Sequence, residues 1–368
     1  MNQLFWESRR VENFRHMDRL FPAHPLAAST TPHVFPRAEM PAPLPTTYIF
    51  NDSHRLTEAF LEKTRTTGLL VLRDGVILHE EYRRDANASS TLTSWSMAKS
   101  VVATLVAIAL KEGTLHSLDD TVGQYVPELK NSAWAPVRIR DLLRMASGIR
   151  FDETYDNRLA DIHRIFYKTF IFNRSIDSAV AGYPAEDVPG TRFHYKSVDT
   201  QVLSLVLRRA TGRPLTTYAQ EKLWQPLGMQ DTGFWNTDFH GNELGYCCLN
   251  ISLRDYAKLG QLYLQQGQWN GQQLLPADWV REATKRPEPW LAAGNGYAER
   301  GYGYHWWVPR DPDQEFFANG VWGQTIFVDE KTRTVIVKTS VDPNFKANTA
   351  EMIAFMRGMV KGLTPTPP

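Results

Sequence analysis

Ser96 and Lys99 are the residues whose types and spacing most directly indicate covalent chemistry. A separation of three positions on a helix brings two side chains onto one face, within reach of each other. Serine is a weak nucleophile until a base takes its proton, and lysine serves as that base only when its pKa is lowered. The pair therefore predicts a nucleophilic Ser96 that is activated by Lys99.

The helix that follows supplies reasons for a lowered lysine pKa. From Ser96 to Leu110 the sequence is apolar nearly all round, which is typical of a buried central helix, and Gly113 is expected to end it. Burial and the positive end of the helix dipole both disfavour a cation at Lys99, while free N–H groups of the first turn face a developing oxyanion. The alternative is structural: Ser96 caps the helix, and the Lys99 ammonium reaches solvent.

A tyrosine that relays the proton toward the leaving group would complete the site, in a Tyr-x-Ser or Tyr-x-Asn pattern. Two segments match, Tyr195-Lys196-Ser197 and Tyr155-Asp156-Asn157. We favour Tyr195, because it follows the loop-like Pro189-Gly190-Thr191 and leads into a helix, and we expect Tyr155 to contact substrate. The alternative for either tyrosine is a partly buried structural residue.

The composition disfavours several other classes of protein. The 41 basic and 40 acidic residues are mixed along the chain and give a net charge of +1, so we expect no nucleic-acid partner. The longest apolar run, residues 101–110, is too short to span a membrane, and we see no signal peptide. Cys247 and Cys248 are the only cysteines. We expect both to be reduced, with no metal site and no cofactor, in a cytoplasmic protein.

The order of the predicted elements indicates an α+β fold. The proline-rich residues 1–47 predict an irregular N-terminal arm. A strand pair that turns through Arg73-Asp74-Gly75 follows, helical patterns fill the middle, and EFFANG, QTIFVDE and TRTVIVKTS predict late strands. We therefore predict an antiparallel sheet built from both chain ends (48–92 and 251–368) and flanked by helices. A mainly helical lobe (93–250) is inserted in it, with the active-site cleft between the lobes.

Together these motifs resemble the serine β-lactamase and penicillin-binding-protein superfamily, in particular its class C-like branch with 6-aminohexanoate-dimer hydrolases and esterases. The resemblance is carried by TSWSMAKS, LLRMASGI, PLGMQDT, GQTIFVDE and Tyr195-x-Ser197, and it extends from about residue 68 to the last helix. It implies a β-lactamase-like fold and an acyl-enzyme on Ser96, with Lys99 and Tyr195 as the other catalytic residues.

The family's third motif, Lys-Thr-Gly or His-x-Gly on the strand that borders the site, is altered in this chain. Residues 318–324, ANGVWGQ, match it best by context, because glycine there permits a ligand to approach the backbone. The resemblance implies an oxyanion hole made by the N–H groups of Ser96 and Val321. The residues expected to contact substrate are Tyr155, Gly320, Trp322 and Gly323.

Lys338-Thr339-Ser340 imitates this third motif but lacks its glycine, and we expect it at an exposed edge away from the site. Ala318 and Asn319 carry neither a cation nor a hydroxyl group, so this motif does not offer the groups that would bind the carboxylate of a β-lactam. An ordinary amide or ester is the more favoured substrate.

The predicted function is a serine hydrolase that cleaves an amide or ester bond in a small molecule, similar to 6-aminohexanoate-oligomer hydrolases. Two alternatives stay open at this point. One is a short-chain carboxylesterase of the β-lactamase-like type, and the other is a penicillin-binding or sensor protein that acylates without turnover. A homodimer also stays open as an assembly.

Overall fold

The computed structural model describes residues 4–40, 42–285 and 288–363, and it has the predicted α+β architecture. The strands are β1 (Ala23–Leu26), β2 (Thr47–Phe50), β3 (Ser53–Leu56), β4 (Thr66–Arg73), β5 (Val76–Tyr82), β6 (Leu92–Thr93), β7 (Gly233–Asn236), β8 (Leu249–Ile251), β9 (Gln268–Trp269), β10 (Gln272–Gln273), β11 (Arg300–Tyr302), β12 (Trp307–Pro309), β13 (Glu315–Gly320), β14 (Gln324–Asp329) and β15 (Thr334–Ser340). The helices are α1 (Arg10–Arg15), α2 (Thr57–Lys63), α3 (Ala98–Lys111), α4 (Val122–Tyr125), α5 (Ile139–Leu143), α6 (Asp161–Phe170), α7 (Ile176–Ala181), α8 (Ser197–Thr211), α9 (Leu215–Ala219), α10 (Gln225–Leu227), α11 (Leu253–Leu264), α12 (Ala277–Thr284) and α13 (Thr349–Gly362).

A seven-stranded antiparallel sheet is built from both ends of the chain, in the order β11-β12-β13-β14-β15-β4-β5. β4 and β5 form the predicted hairpin. Asp74 and Gly75 at its turn have φ values of 49° and 78°, and two such positive values match the twist of the strands. β15 pairs with β4, which places Ile336 opposite Val71 and joins the late strands to the early ones.

Helices cover both faces of this sheet. On one face α13 contributes Phe355 and Met356 to the apolar cluster that includes Ile336. On the other face α11 approaches at Gly260, where an added Cβ would lie only 2.5 Å from a methyl carbon of Val335. Neighbouring residues of β15 thus face opposite layers, as the period of a strand requires.

The predicted central helix, α3, is buried over twelve successive residues, from Ala98 to Ala109. Val102 and Val106 belong to the same apolar cluster as Val202 of α8. The helix ends where predicted, since Gly113 adopts a positive φ of 74° directly after it. In the three described ranges, none of the helices has the length and apolarity that a membrane span requires.

The N-terminal arm is more regular than its prolines predicted, because it contains α1 and β1. β1 pairs with β7 in a four-stranded sheet of order β1-β7-β8-β6. β6 leads directly into Ser96. The arm is therefore bound to the group of strands that carries the predicted nucleophile.

Lys338-Thr339-Ser340 lies in β15, inside the seven-stranded sheet, so the prediction of an exposed edge is wrong. The Lys338 ammonium donates a hydrogen bond to Ser340 Oγ, and burial lowers the pKa of Lys338 to about 7. The error has a physical reason: β15 is an interior strand because it pairs with β4, about 270 residues earlier in the chain, and local sequence does not show such a pairing.

Candidate active site

Ser96 lies in a tight 3₁₀ turn, Trp95–Met97, between β6 and α3. β8 fixes the start of this turn: the Ser94 N–H donates to the Leu249 carbonyl over 2.7 Å, and the Leu249 N–H donates to Ser94 Oγ over 3.1 Å. Trp95 has a φ of 43°, a conformation that a bulky residue keeps only when its surroundings impose it. The nucleophile candidate is thus held rigidly at the start of α3.

Lys99 is buried, and three oxygen atoms accept hydrogen bonds from its ammonium. Nζ donates to Ser96 Oγ over 3.0 Å, to the Tyr246 carbonyl over 2.8 Å and to Ser197 Oγ over 3.3 Å. Burial lowers the pKa of Lys99 to about 7, and the charge of Glu153 opposes this shift only in part. A large fraction of Lys99 is therefore neutral near pH 7 and able to take the Ser96 proton.

Tyr195 lies two residues before α8, in a cage of aromatic rings. Its ring stacks on Trp307 with 5.3 Å between centroids and meets Tyr302 edge-on. Lys99 Nζ lies 5.2 Å from the ring centre. Burial and the charge of Glu153 raise the pKa of Tyr195, and its interaction with the Ser96 hydroxyl opposes that shift. The phenol keeps its proton at neutral pH, which suits a proton donor.

Glu153 orients the remaining hydroxyl groups of the site. It accepts hydrogen bonds from the Ser197 N–H over 2.8 Å, from the Ser197 hydroxyl over 2.6 Å and from the Tyr155 hydroxyl over 2.7 Å. Because the Ser197 hydroxyl donates to Glu153, its oxygen is free to accept from Lys99. Sequence analysis missed Glu153, although its place two residues before Tyr155 was a usable signal.

The end of β13 lies against the turn that carries Ser96. A Cβ added at Gly320 would collide with the Ser94 carbonyl and lie 3.1 Å from the Ser96 nitrogen, so glycine is needed for this approach. Val321 follows at once and lines the same cavity as Ser96. The two predicted oxyanion donors, Ser96 and Val321, therefore belong to one wall of that cavity.

Rings from the arm cover the two tryptophans next to those donors. Phe5 stacks on Trp322 and on Trp95, with 5.6 and 6.0 Å between centroids, and Phe14 meets both edge-on. The Arg10 guanidinium lies 4.2 Å from the ring centre of Trp322. Trp322 has a φ of 67°, and Trp95 also has a positive φ. Both tryptophans therefore hold a costly backbone conformation while their rings pack against the arm.

A cavity of about 640 Å³ opens beside the candidate nucleophile. The predicted site residues that line it are Ser96, Tyr155, Val321 and Trp322. Lys99, Tyr195, Gly320 and Gly323 are not among its described lining residues. At Gly323, an added Cβ would instead contact Ser340 and Asp342.

Two further segments line this cavity and were not predicted. The arm contributes Leu4, Phe5, Trp6, Met17 and Phe21, and α6 contributes Ile162, His163, Phe166, Tyr167 and Phe170. The helical spacing of Ile162, Phe166 and Phe170 was a signal for an apolar face on α6. No comparable periodicity marks the arm.

Cys247 and Cys248 form a disulfide between chain neighbours, so the expectation of two reduced thiols is wrong. Both residues line the cavity, directly after Tyr246, whose carbonyl holds Lys99. The loop is fixed in this shape by the Trp235 indole N–H, which donates to the Cys247 carbonyl over 2.9 Å, and by a positive φ of 68° at Cys248. The disulfide also removes the cysteine-based argument for a cytoplasmic location.

The sheet and the buried helix form a β-lactamase fold, and the relatives of the chain indicate a hydrolase of the serine β-lactamase and penicillin-binding-protein superfamily. Residues 54–356 match the family model described as Beta-lactamase, and the chain belongs to this family.

Known proteins of similar sequence and structure agree with this assignment. The chain is 26% identical over 301 residues to a 6-aminohexanoate-dimer hydrolase from Paenarthrobacter ureafaciens. The aligned residues cover 78% of this chain and 75% of the relative. A solved structure described as "Putative 6-aminohexanoate-dimer hydrolase from Bacillus anthracis" superposes with a TM-score of 0.87 at 22% identity, covering 99% and 97% of the two chains. EstCE1, described as a hydrolase with promiscuous acyltransferase activity, superposes with a TM-score of 0.66 at 15% identity, covering 83% and 96%.

Proposed function

We propose that the protein is a serine hydrolase that cleaves amide or ester bonds through an acyl-enzyme on Ser96. The observation that carries the proposal is the 3.0 Å contact between Lys99 Nζ and Ser96 Oγ, made by a buried lysine whose pKa lies near 7. A lysine that merely reached solvent along its stem would be neither buried nor shifted. The predicted cleft, between the sheet lobe (48–92 and 251–368) and the helical lobe (93–250), is part of this proposal.

The geometry supports the following sequence of proton transfers. Neutral Lys99 takes the proton of Ser96 as the serine oxygen attacks the substrate carbonyl. The N–H groups of Ser96 and Val321 stabilise the oxyanion, an effect worth about 3–4 kcal/mol for one donor. Tyr195 then gives its proton to the departing amine or alcohol and regains one from the Lys99 ammonium. A water molecule then attacks the acyl-enzyme carbonyl as Lys99 takes its proton. The bond to Ser96 breaks, Ser96 regains a proton through Tyr195 and Lys99, and the acyl group leaves as a carboxylic acid.

Two substrate classes have support. The Paenarthrobacter relative, named for hydrolysis of a 6-aminohexanoate dimer, favours a linear amide. The apolar side chains that line the cavity are equally suited to the acyl group of an ester. A β-lactam is less favoured than either, because Ala318 and Asn319 offer no cation or hydroxyl for its carboxylate.

Hydrolysis of a substrate panel tests the proposal. We expect turnover of 4-nitrophenyl acetate or a linear amide, with little activity on nitrocefin, and complete loss in Ser96→Ala. Ser89→Ala, which removes an exposed serine from the preceding loop, is the matched control and should keep full activity. Turnover of the ester by Ser96→Ala at the original rate would refute the assignment, and a burst without turnover would indicate a protein that acylates but does not deacylate.

A further inference from the structure

The part of the cavity between the arm and α6 is built from apolar side chains. We call Phe21, Ile162, Phe166 and Phe170 the aromatic chamber; all four line the same cavity as Ser96. Phe170 lies 4.8 Å from Phe21 and 4.9 Å from Phe166 between ring centroids. Three rings at these distances form a continuous apolar surface that gains free energy by covering an apolar group.

The described side chains that line the cavity include a cation but no carboxylate. Among the lining residues that the structure describes, none is an aspartate or glutamate, whereas Arg158 and His163 are present. The carboxylate that reaches the cavity through a hydrogen-bond partner is Glu153. Its oxygens already accept from the Ser197 N–H, the Ser197 hydroxyl and the Tyr155 hydroxyl. A cationic ligand group in the chamber would therefore meet Arg158 and no carboxylate among the described lining side chains.

This composition bears on substrates that end in an amine. A 6-aminohexanoyl group carries an ammonium at neutral pH, because an alkyl amine has a pKa of about 10. An ammonium removed from water without a carboxylate partner is strongly destabilised, and Arg158 would add repulsion. A hexanoyl group has the same six-carbon chain without the ammonium, so it incurs no such cost and can bury the whole chain against the three rings.

We propose that the aromatic chamber binds the uncharged, apolar acyl group of the substrate and selects against acyl groups that end in an ammonium. The inference rests on the proposed function, since it assumes that Ser96 is acylated. The acyl group remains attached to Ser96 through both chemical steps, so an apolar surface in the same cavity stabilises it in each. In this respect the chain differs from what the name of its Paenarthrobacter relative would suggest.

Three 4-nitrophenyl esters of equal chain length provide the test: hexanoate, 6-aminohexanoate and the monoester of adipate. We expect kcat/KM for hexanoate to exceed that for 6-aminohexanoate at least about 30-fold at pH 7, with adipate between them. Equal rates for hexanoate and 6-aminohexanoate would overturn the inference. A preference for adipate would also overturn it, because Arg158 would then bind an anionic substrate.

A charge placed in the chamber provides a second, independent readout. Ile162 is half-buried in the first turn of α6, where an acidic residue is compatible with the helix dipole. Ile162→Asp should reduce the ratio of kcat/KM for hexanoate to that for 6-aminohexanoate at least about tenfold. Ile162→Asn, whose side chain has the shape of aspartate but no charge, should not. Identical ratios in the two variants would show that the acyl group does not enter the chamber.

The outcomes separate this inference from the proposed function. Activity that survives in Ser96→Ala would rule out an acyl-enzyme on Ser96 and therefore also the inference about the chamber. Activity that depends on Ser96 but prefers a charged acyl group removes only the inference about the chamber. The comparison of esters needs no variant of the chamber, so it remains decisive even if the Ile162 variants fail to fold.

Discussion

The pH dependence of acylation tests the role of Lys99 most sharply. In the free enzyme kcat/KM follows the ionisation of the essential base, and Lys99 accepts a proton only in its neutral form. Burial lowers its pKa from 10.5 to about 7, so the rate of Ser96 acylation should rise with pH and level off within the physiological range.

The size of this change follows from the shifted pKa. With a pKa of about 7, the neutral fraction grows from about 3% at pH 5.5 to about 97% at pH 8.5, a rise of about 30-fold that then stops. A lysine with the ordinary pKa of 10.5 would instead gain about tenfold per pH unit, about 1000-fold over the same interval, without levelling off.

The assay is kcat/KM for 4-nitrophenyl acetate between pH 5 and 9, with Ser96→Ala as the blank for spontaneous hydrolysis. Glu153→Gln should move the inflection to lower pH, because the carboxylate raises the pKa of Lys99. Glu282→Gln, on the exposed side of α12, is the matched control and should leave the profile unchanged. A rate that keeps climbing through pH 8.5, or one independent of pH, would refute Lys99 as the base.

Three further predictions concern stability, the arm and the cysteines. Lys99→Met should abolish acylation yet raise the free energy of unfolding at pH 6, by no more than about 5 kcal/mol, as measured by urea unfolding. Because the folded pKa is the lower one, wild-type stability rises between about pH 7 and 10.5, and the advantage of the variant should shrink across that window. Phe5→Ala removes a ring stacked on both tryptophans beside the proposed oxyanion donors and should lower kcat about tenfold. Ile49→Ala, which shortens an exposed residue of β2, should not, and equal kcat values for the two variants would contradict a positioning role for the arm. Denatured, unreduced protein should take up no iodoacetamide at Cys247 and Cys248 and two equivalents after reduction, measured by mass spectrometry; labelling before reduction would contradict the disulfide.

Local patterns were sufficient for much of the fold and for the chemical groups of the site. The Asp74-Gly75 turn, the apolar run after Ser96 and the glycine that ends α3 each record a local preference of the backbone or of one helix face. The proximity of Lys99 to Ser96 was predictable for the same reason, because both lie within one helical turn.

The features that sequence missed depend on long-range contacts. The Tyr246 carbonyl accepts a hydrogen bond from Lys99, 147 residues away in sequence. Every residue has a backbone carbonyl, so the residue type does not indicate this role. The interior position of β15, which carries Lys338, follows from its pairing with β4. The arm ring Phe5 reaches Trp322 across most of the chain. In each case the partner is fixed by topology, and neither composition nor periodicity encodes it locally.

Peptide mapping of the trapped intermediate tests the central claim most directly. The protein is incubated briefly with 4-nitrophenyl hexanoate, quenched in acid, digested and analysed by mass spectrometry. The account predicts one hexanoyl group per chain on the peptide that contains Ser96, and none in Ser96→Ala. A hexanoyl group on another residue would contradict an acyl-enzyme on Ser96. So would turnover by wild-type protein that forms no hexanoyl adduct and that also gives no adduct with a fluorophosphonate.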